Sequence, residues 1–461
     1  MKHTIIKTFV LILALALTLS GCNLIAIDAK MQADEDIAKI EKQYAAEVAA
    51  YDGGTLTAGD IMGDFNDNYS EMYYFYAMYG ISPSEEEVHM LIEDTMADRV
   101  RASVIDKHFD ETNTLTDEEL AAAEQTGEQN YNAMMNAALQ QSTGKTEEDR
   151  QQEARVLLAA IGRSLESMKA DAVRAAKVEK TEAALRDEVE EVTDEQLQAA
   201  YDQKVADDEE TYTANPGAYG SAMTNGSEAY WVPDGYRTVK HILLIPEDSL
   251  MTAYTDAKSA LQAKQDELHE YSHELEDAND DDVEGARTAE EIQADIDAAN
   301  AELPELEAAV EAAAQACLDN VKDRSDAIYA RLEAGEAFED LMAEFGEDPG
   351  MQREPTMTTG YYVCSESANW QQEFTDGAMA LGQVGDYSAE PVLSGSGVHI
   401  IEYASDVAGG AVALSTVHDA LYAEELENLK DANRNDTINA WIEAVNPVYD
   451  VEAFEAALTE E

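Results

Sequence analysis

Positive charge is scarce in this sequence: 29 lysines and arginines stand against 97 aspartates and glutamates, a net charge of −68 over 461 residues. Such a surface repels phosphate backbones, which argues against nucleic acid as a partner. Cysteine is nearly missing as well. Residues 22, 317 and 364 are the three present, too few for a disulfide framework. With only 9 prolines and 25 glycines among abundant Ala, Glu, Asp and Gln, and an apolar fraction of 45%, the composition is that of long helices and not of a disordered acidic tail. After the first 21 residues no stretch approaches 18 apolar residues, so no later segment reads as a membrane-spanning helix. At about 150 residues per domain, the length implies two to four domains.

The first residues read differently. Lys2 and Lys7 precede an apolar run from Phe9 to Leu19, and Leu19-Ser20-Gly21-Cys22 follows directly. The run is short for a bilayer, and small residues before a cysteine suit a protease that leaves a lipid-bearing Cys as the new N-terminus. This resembles a bacterial lipoprotein signal over residues 1–21, with Cys22 as the lipidation site. It implies a body held at the extracytoplasmic face of the cell membrane.

From Cys22 to about Thr211 the pattern is helical. Ser84 with Glu87, Thr116 with Glu119 and Thr193 with Gln196 have capping-box spacing, and Pro83 fits a first helical turn capped by Ser82. Val88, Leu91, Ile92, Met96, Val100, Val104 and Ile105 mark one helix face. Turn formers between Asp208 and Tyr236 predict a boundary, so residues 22–235 are expected to form a helical domain.

Thr238 to Ile245, closed by Pro246, is the first convincing strand. Next come two seams stepping by 3 and 4, from Tyr254 to Ala278 and from Ile292 to Ala313, the second opened by a Thr288/Glu291 capping box. They predict an antiparallel helical hairpin over 252–320, carrying 20 acidic and 3 basic residues. Pro304 is expected to kink the second helix or to mark a boundary. Because two antiparallel helices return the chain to its start, the hairpin is expected to be one removable loop. Beyond it, a separate helix over 326–334 ends at Gly335, and a second one carries Phe338, Leu341, Met342 and Phe345.

The later motifs are Gly346-Glu-Asp-Pro-Gly350, Gly360-Tyr-Tyr, Trp370-Gln-Gln-Glu-Phe374, Pro391-Val392 and Gly397-Val-His-Ile-Ile401. With Val239-Lys-His-Ile-Leu-Leu at the front, their order resembles a parvulin-type (PpiC) peptidyl-prolyl isomerase domain over 236–406. The resemblance implies an α+β fold in which His241 and His399 stand side by side at the centre of the sheet. It also implies that Asp348 and Ser396 complete their hydrogen-bond chain as catalytic residues, and that Trp370 and Phe374 hold the substrate's proline ring. Where the family usually reads Gly-Asp-Leu-Gly, this chain has Thr358-Thr359-Gly360, a departure that bears on the pocket wall. Two histidines and one aspartate would also suit a metal ion, but no third His or Cys spacing supports one, and rotation about an amide needs no cofactor.

A lipobox, a helical N-terminal part, a parvulin module and a final segment with Ile438, Trp441, Ile442 and Val445 resemble the PrsA and SurA foldases. That likeness implies a C-terminal segment, 407–461, packed on the N-terminal domain. The expected architecture is multidomain and mostly α, and the expected partners are unfolded or newly secreted proteins with X-Pro bonds. The expected function is an extracytoplasmic isomerase and foldase, the alternative being a non-enzymatic holdase with a degenerate parvulin domain.

Overall fold

The computed structural model describes residues 29–278 and 287–459. Cys22 and the leader lie outside them. Among the described residues no helix is long and apolar enough to cross a membrane. The chain divides into two compact units: the residues up to Val192 together with those from Glu424 on, and Thr193–Ala423.

The first unit is helical around a small sheet. Its elements are α1 (Ala29–Gln43), β1 (Glu47–Tyr51), β2 (Gly54–Thr57), α2 (Ala58–Met78), α3 (Glu85–Thr112), α4 (Asp117–Gln141), α5 (Glu147–Ala160) and α6 (Leu165–Asp187). The expected capping boxes at Ser84 and Thr116 form. Ser84 is the cap of α3, so Pro83 precedes the helix, where its missing N–H leaves no helical bond unmade. Ile92, Met96, Val100, Val104 and Ile105 are buried along one face of α3, as their spacing requires.

The strands depart from an all-helical reading. β1 and β2 form a hairpin that turns at Gly53, whose φ of 121° suits glycine, and β9 (Val448–Tyr449) adds to β1. The following α15 (Val451–Thr459) packs Phe454 against Phe65, ring centroids 5.2 Å apart, within one core with Ile61, Ile92 and Met96.

The second unit starts with α7 (Asp194–Ala214), α8 (Gly217–Thr224) and β3 (Trp231–Val232). The expected boundary at 235 is therefore displaced to Val192. The cause is a tyrosine cluster: Tyr212, Tyr219 and Tyr236 pack with Val232 and Cys364. Tyr236 also donates its hydroxyl to the Pro216 carbonyl (2.8 Å) and accepts from the Gly220 N–H (3.0 Å). α14 (Leu414–Ala444) likewise begins in this unit and ends in the first, so the expected break at 406/407 also moves, to Ala423.

An antiparallel sheet organises this unit, in the order β5 (Tyr361–Val363), β4 (Arg237–Leu244), β7 (Gly397–Asp406), β6 (Val392–Ser394). A separate pair is made by β3 and β8 (Gly410–Ala411). Around the sheet stand α9 (Asp248–Ala278), α10 (Ala289–Glu333), α11 (Phe338–Phe345), α12 (Thr356–Thr359) and α13 (Gln372–Met379). The core joins Val239, Ile242, Leu244, Ile400 and Ile401 to Val321, Ile328, Leu341 and Phe374.

The hairpin expected at 252–320 is built from α9 and α10, but α10 is one 45-residue helix running through Pro304 and into the sheet's core. Neither a break at Pro304 nor a separate helix at 326 exists. The buried seam explains this. Ile292, Ala299, Cys317, Val321, Ile328 and Leu332 are buried along one face, with Leu303, Leu306 and Val310 half-buried between them, while Pro304 and Asn300, whose carbonyl the proline leaves unpaired, face water.

Candidate functional site

Register alone brings the two sheet histidines together. His241 pairs with Ile401 and Leu243 with His399, so the imidazoles are diagonal neighbours on one face. Both are buried, and their Nδ1 atoms are 2.9 Å apart. His241 Nε2 reaches Asp348 Oδ2 at 2.8 Å. Asp348 sits in the loop after α11, which is pinned to the end of β4 by the Glu347 N–H donating to the Leu243 carbonyl (2.9 Å). Its other partners are the Gly350 N–H on Oδ1 (2.8 Å) and the Tyr361 hydroxyl on Oδ2 (2.9 Å). A side chain at 350 would collide with that hydroxyl, which fixes glycine there.

The environment sets the protons. Burial pushes the Asp348 carboxyl up, but the bonds from His241, Gly350 and Tyr361 overcome it and hold the group at about 2. Asp348 is thus an acceptor only. Burial, with the His241 ring beside it, pushes His399 down to about 3 despite the attraction of Asp348, so this ring is neutral. Tyr361 is raised by burial and by the adjacent carboxylate, and keeps its proton.

The ionised Asp348 anchors a run of hydrogen bonds through both rings: His241 Nε2–H donates to Asp348, His241 Nδ1 and His399 Nδ1 share one hydrogen bond, and His399 Nε2 bonds a hydroxyl at 2.8 Å. That hydroxyl belongs to Ser394 and not to Ser396. Ser394 pairs with Gly397 and Val392 with His399, so Ser394 and His399 share a face of the β6–β7 hairpin. Ser396 occupies the two-residue turn. It is exposed, its N–H donates to Ser394 Oγ (3.1 Å) and its hydroxyl accepts from Gln371 Nε2 (3.2 Å). Strand alternation carried the missing signal, since residues three apart on a strand point to opposite faces.

Phe374 on α13 lies against both imidazoles, its ring centroid 5.2 Å from His241 and 5.0 Å from His399. Trp370 donates its indole N–H to the Tyr362 carbonyl (2.9 Å) and packs 4.4 Å from the Tyr361 ring. Together with Leu243, Asp348, Gln371, Ser394 and Ser396 these side chains line a cavity of about 290 Å³. Five of the six expected residues (His241, His399, Asp348, Trp370, Phe374) therefore converge, with Ser396 at the rim. Thr358 and Thr359 line a separate cavity, beside Lys240 and Glu402 on the opposite face of the sheet, so their departure from the family pattern leaves this pocket's wall intact.

Residues 305–405 match the rotamase family, the PPIC-type PPIase domain. The chain carries a parvulin-type peptidyl-prolyl isomerase domain. The match starts inside α10, so β4 and His241 lie upstream of it, across the inserted hairpin, and reach the site through the β4–β7 ladder. The chain is also similar to two solved structures of peptidylprolyl isomerase PrsA. That from Bacillus anthracis is 12% identical, with 76% of this chain and 96% of that one covered and a TM-score of 0.18. That from Bacillus cereus is 14% identical, with 83% and 96% covered and a TM-score of 0.18. No curated protein matches.

Proposed function

We propose that the chain is an extracytoplasmic foldase, anchored through a lipid on Cys22, that isomerises X-Pro bonds in newly secreted, still unfolded proteins. The observation that carries the catalytic part is the hydrogen-bonded chain Ser394–His399–His241–Asp348 beneath an aromatic-walled cavity. An X-Pro amide rotates over a barrier of about 18–20 kcal/mol set by resonance. Resonance also gives the planar amide its large dipole. Trp370, Phe374 and Leu243 offer apolar contact to the proline ring and strip water from that dipole, which raises the planar forms more than the less polarised twisted one. No bond is made and no proton is transferred. The histidines act by position: every ring nitrogen already has a partner, so the cavity floor is rigid and presents ring faces.

The Leu19-Ser20-Gly21-Cys22 sequence after an apolar leader supports the anchor, and the parvulin-type domain supports the X-Pro substrate. Two assays on the whole chain test the reading: turnover of a short X-Pro peptide, and suppression of aggregation of an unfolded client. Turnover that is absent while aggregation is still suppressed would replace the isomerase with a holdase. A Cys22→Ala variant that stays on the membrane at unchanged mass would remove the anchor.

A further inference from the structure

Beyond Phe65 no residue of α2 is buried, although the sequence there is Tyr69-Ser-Glu-Met-Tyr-Tyr-Phe-Tyr-Ala-Met-Tyr79. Tyr74 is 70% exposed, Phe75 54%, Met78 61% and Tyr79 68%, with Ile81 in the following turn also open to water. Phe75 and Tyr79 touch, ring centroids 5.3 Å apart. The neighbouring helix runs alongside: Asn68 bonds Thr95 and Tyr76 bonds Glu87, and Met90 on that helix is itself half exposed. Three aromatic rings more than half exposed leave on the order of 300–400 Å² of apolar surface in water, already the size of the largest patch on an ordinary monomer, before the methionines and Ile81 are counted.

The sequence that builds this patch carries charge of one sign. Between Lys42 and Arg99 it holds no lysine or arginine, Glu71, Glu85 and Glu86 are exposed, and Glu87 meets Tyr76. We propose that this aromatic knob is a docking surface for unfolded polypeptide segments that carry lysine or arginine next to apolar residues. The rings take apolar side chains and accept cations over their faces, and the acidic collar attracts the same cations from a distance. The flexible methionines adapt to varied sequences. A second copy of this chain would bring Glu71, Glu85 and Glu86 against their own images, each copy at −68, and an anionic bilayer is repelled by the same collar.

This deepens the foldase reading by assigning a client-binding surface apart from the proline pocket, and the test keeps the two separate. A fluorescein-labelled, proline-free peptide of alternating Lys and Phe, and a companion with Glu for each Lys, are titrated onto the whole chain and onto a Tyr74→Ser, Phe75→Ser, Tyr79→Ser variant. The substituted positions are exposed, and circular dichroism checks the fold. The Lys peptide is expected to bind the variant and the Glu peptide the wild type each at least roughly tenfold more weakly than the Lys peptide binds the wild type, with turnover of a short proline peptide unchanged. Equal binding of the Lys peptide to variant and wild type overturns the proposal, as does equal binding of the two peptides to the wild type. It is also overturned by a wild-type dimer that the variant loses in sedimentation, or by flotation with phosphatidylcholine vesicles that the variant loses. Wild type that binds the Lys peptide yet never turns over a proline peptide would remove the isomerase reading and leave the surface in place.

Discussion

The Nδ1 atoms of His241 and His399 stand 2.9 Å apart, so one of the two nitrogens must be bare. Asp348 holds the far side of His241, because an ionised carboxylate 2.8 Å from Nε2 requires a proton on that nitrogen.

The Asp348→Asn variant should lose this constraint. An amide can offer either an oxygen or an NH₂ group, so both proton orders become available. Loss of a charge-assisted bond of about 1.5–3 kcal/mol sets the scale, and kcat/KM is expected to fall roughly ten- to hundredfold. Imidazole ¹⁵N spectra should show a single tautomer set in the wild type and a mixture in the variant. A single unchanged set in the variant would count against Asp348 as the group that holds the proton on His241 Nε2.

The two serines should separate cleanly. Ser394→Ala removes the hydroxyl on His399 Nε2, and about a tenfold fall in turnover is expected from a buried ring nitrogen left without its partner. Ser396→Ala removes only a rim contact with Gln371 and should stay within about threefold. Steady-state kinetics on both variants checks the order of these effects.

Glu402 and His399 lie on β7 and oppose each other in pH. Burial first, then the Glu339 charge, pushes Glu402 up to about 7 against the pull of Lys240, its cross-strand partner. Between 4.5 and about 7 the folded state therefore binds more protons at Glu402 than the unfolded chain does, and this contribution is lost as pH rises. His399 has the reverse sign. From 6.5 down to about 3 the unfolded ring is protonated and the folded one is not, so its contribution is lost as pH falls. The two offset each other between 4.5 and 6.5. Glu402→Gln should leave turnover unchanged, raise the urea midpoint at pH 8 and steepen the loss of stability below pH 6.5. A variant whose urea midpoints parallel the wild type from pH 4 to 8 would refute the assignment.

The hairpin is less separable than its sequence implies. Lys258 of α9 pairs with Glu373, the residue before Phe374, and Met251 meets Cys317 at the base of the arm. Replacing all of 252–320 should therefore lower stability and raise KM. Further out, Lys264 and Glu302 face each other across the hairpin at 3.0 Å. Deleting 265–301 and joining these ends by a short Gly-Ser turn should keep turnover within about threefold, since loop length itself costs little. Thermal unfolding and peptide turnover of both deletions test the distinction.

The histidine pair, Asp348 and the aromatic wall were legible because each belongs to an ordered motif whose spacing the sheet preserves. Ser394 was not, because its role depends on which two residues make the β6–β7 turn, and Ser-Gly-Ser-Gly permits more than one. The unit boundary at Val192 escaped the sequence for a different reason: Tyr212, Tyr219 and Tyr236 join α7 and α8 to the sheet through contacts that no local pattern encodes. At Pro304 the local rule was simply outweighed. One missing hydrogen bond on a wet face does not break a helix whose other face is covered, buried at both ends and half-buried between. The aromatic run at 69–81 was readable as composition, but its exposure was not.

The seam that carries α10 past Pro304 also explains how such an arm could be acquired. An insertion that lengthens a helix already seated in the core creates no new junction, so the sheet, both histidines and the Asp348 loop keep their places whatever the arm's reach. Reach can then change in steps, one heptad at a time on each strand of the hairpin, about 10.5 Å per step. Related chains would be expected to differ here by multiples of about fourteen residues, while the spacing from Asp348 to His399 stays nearly constant.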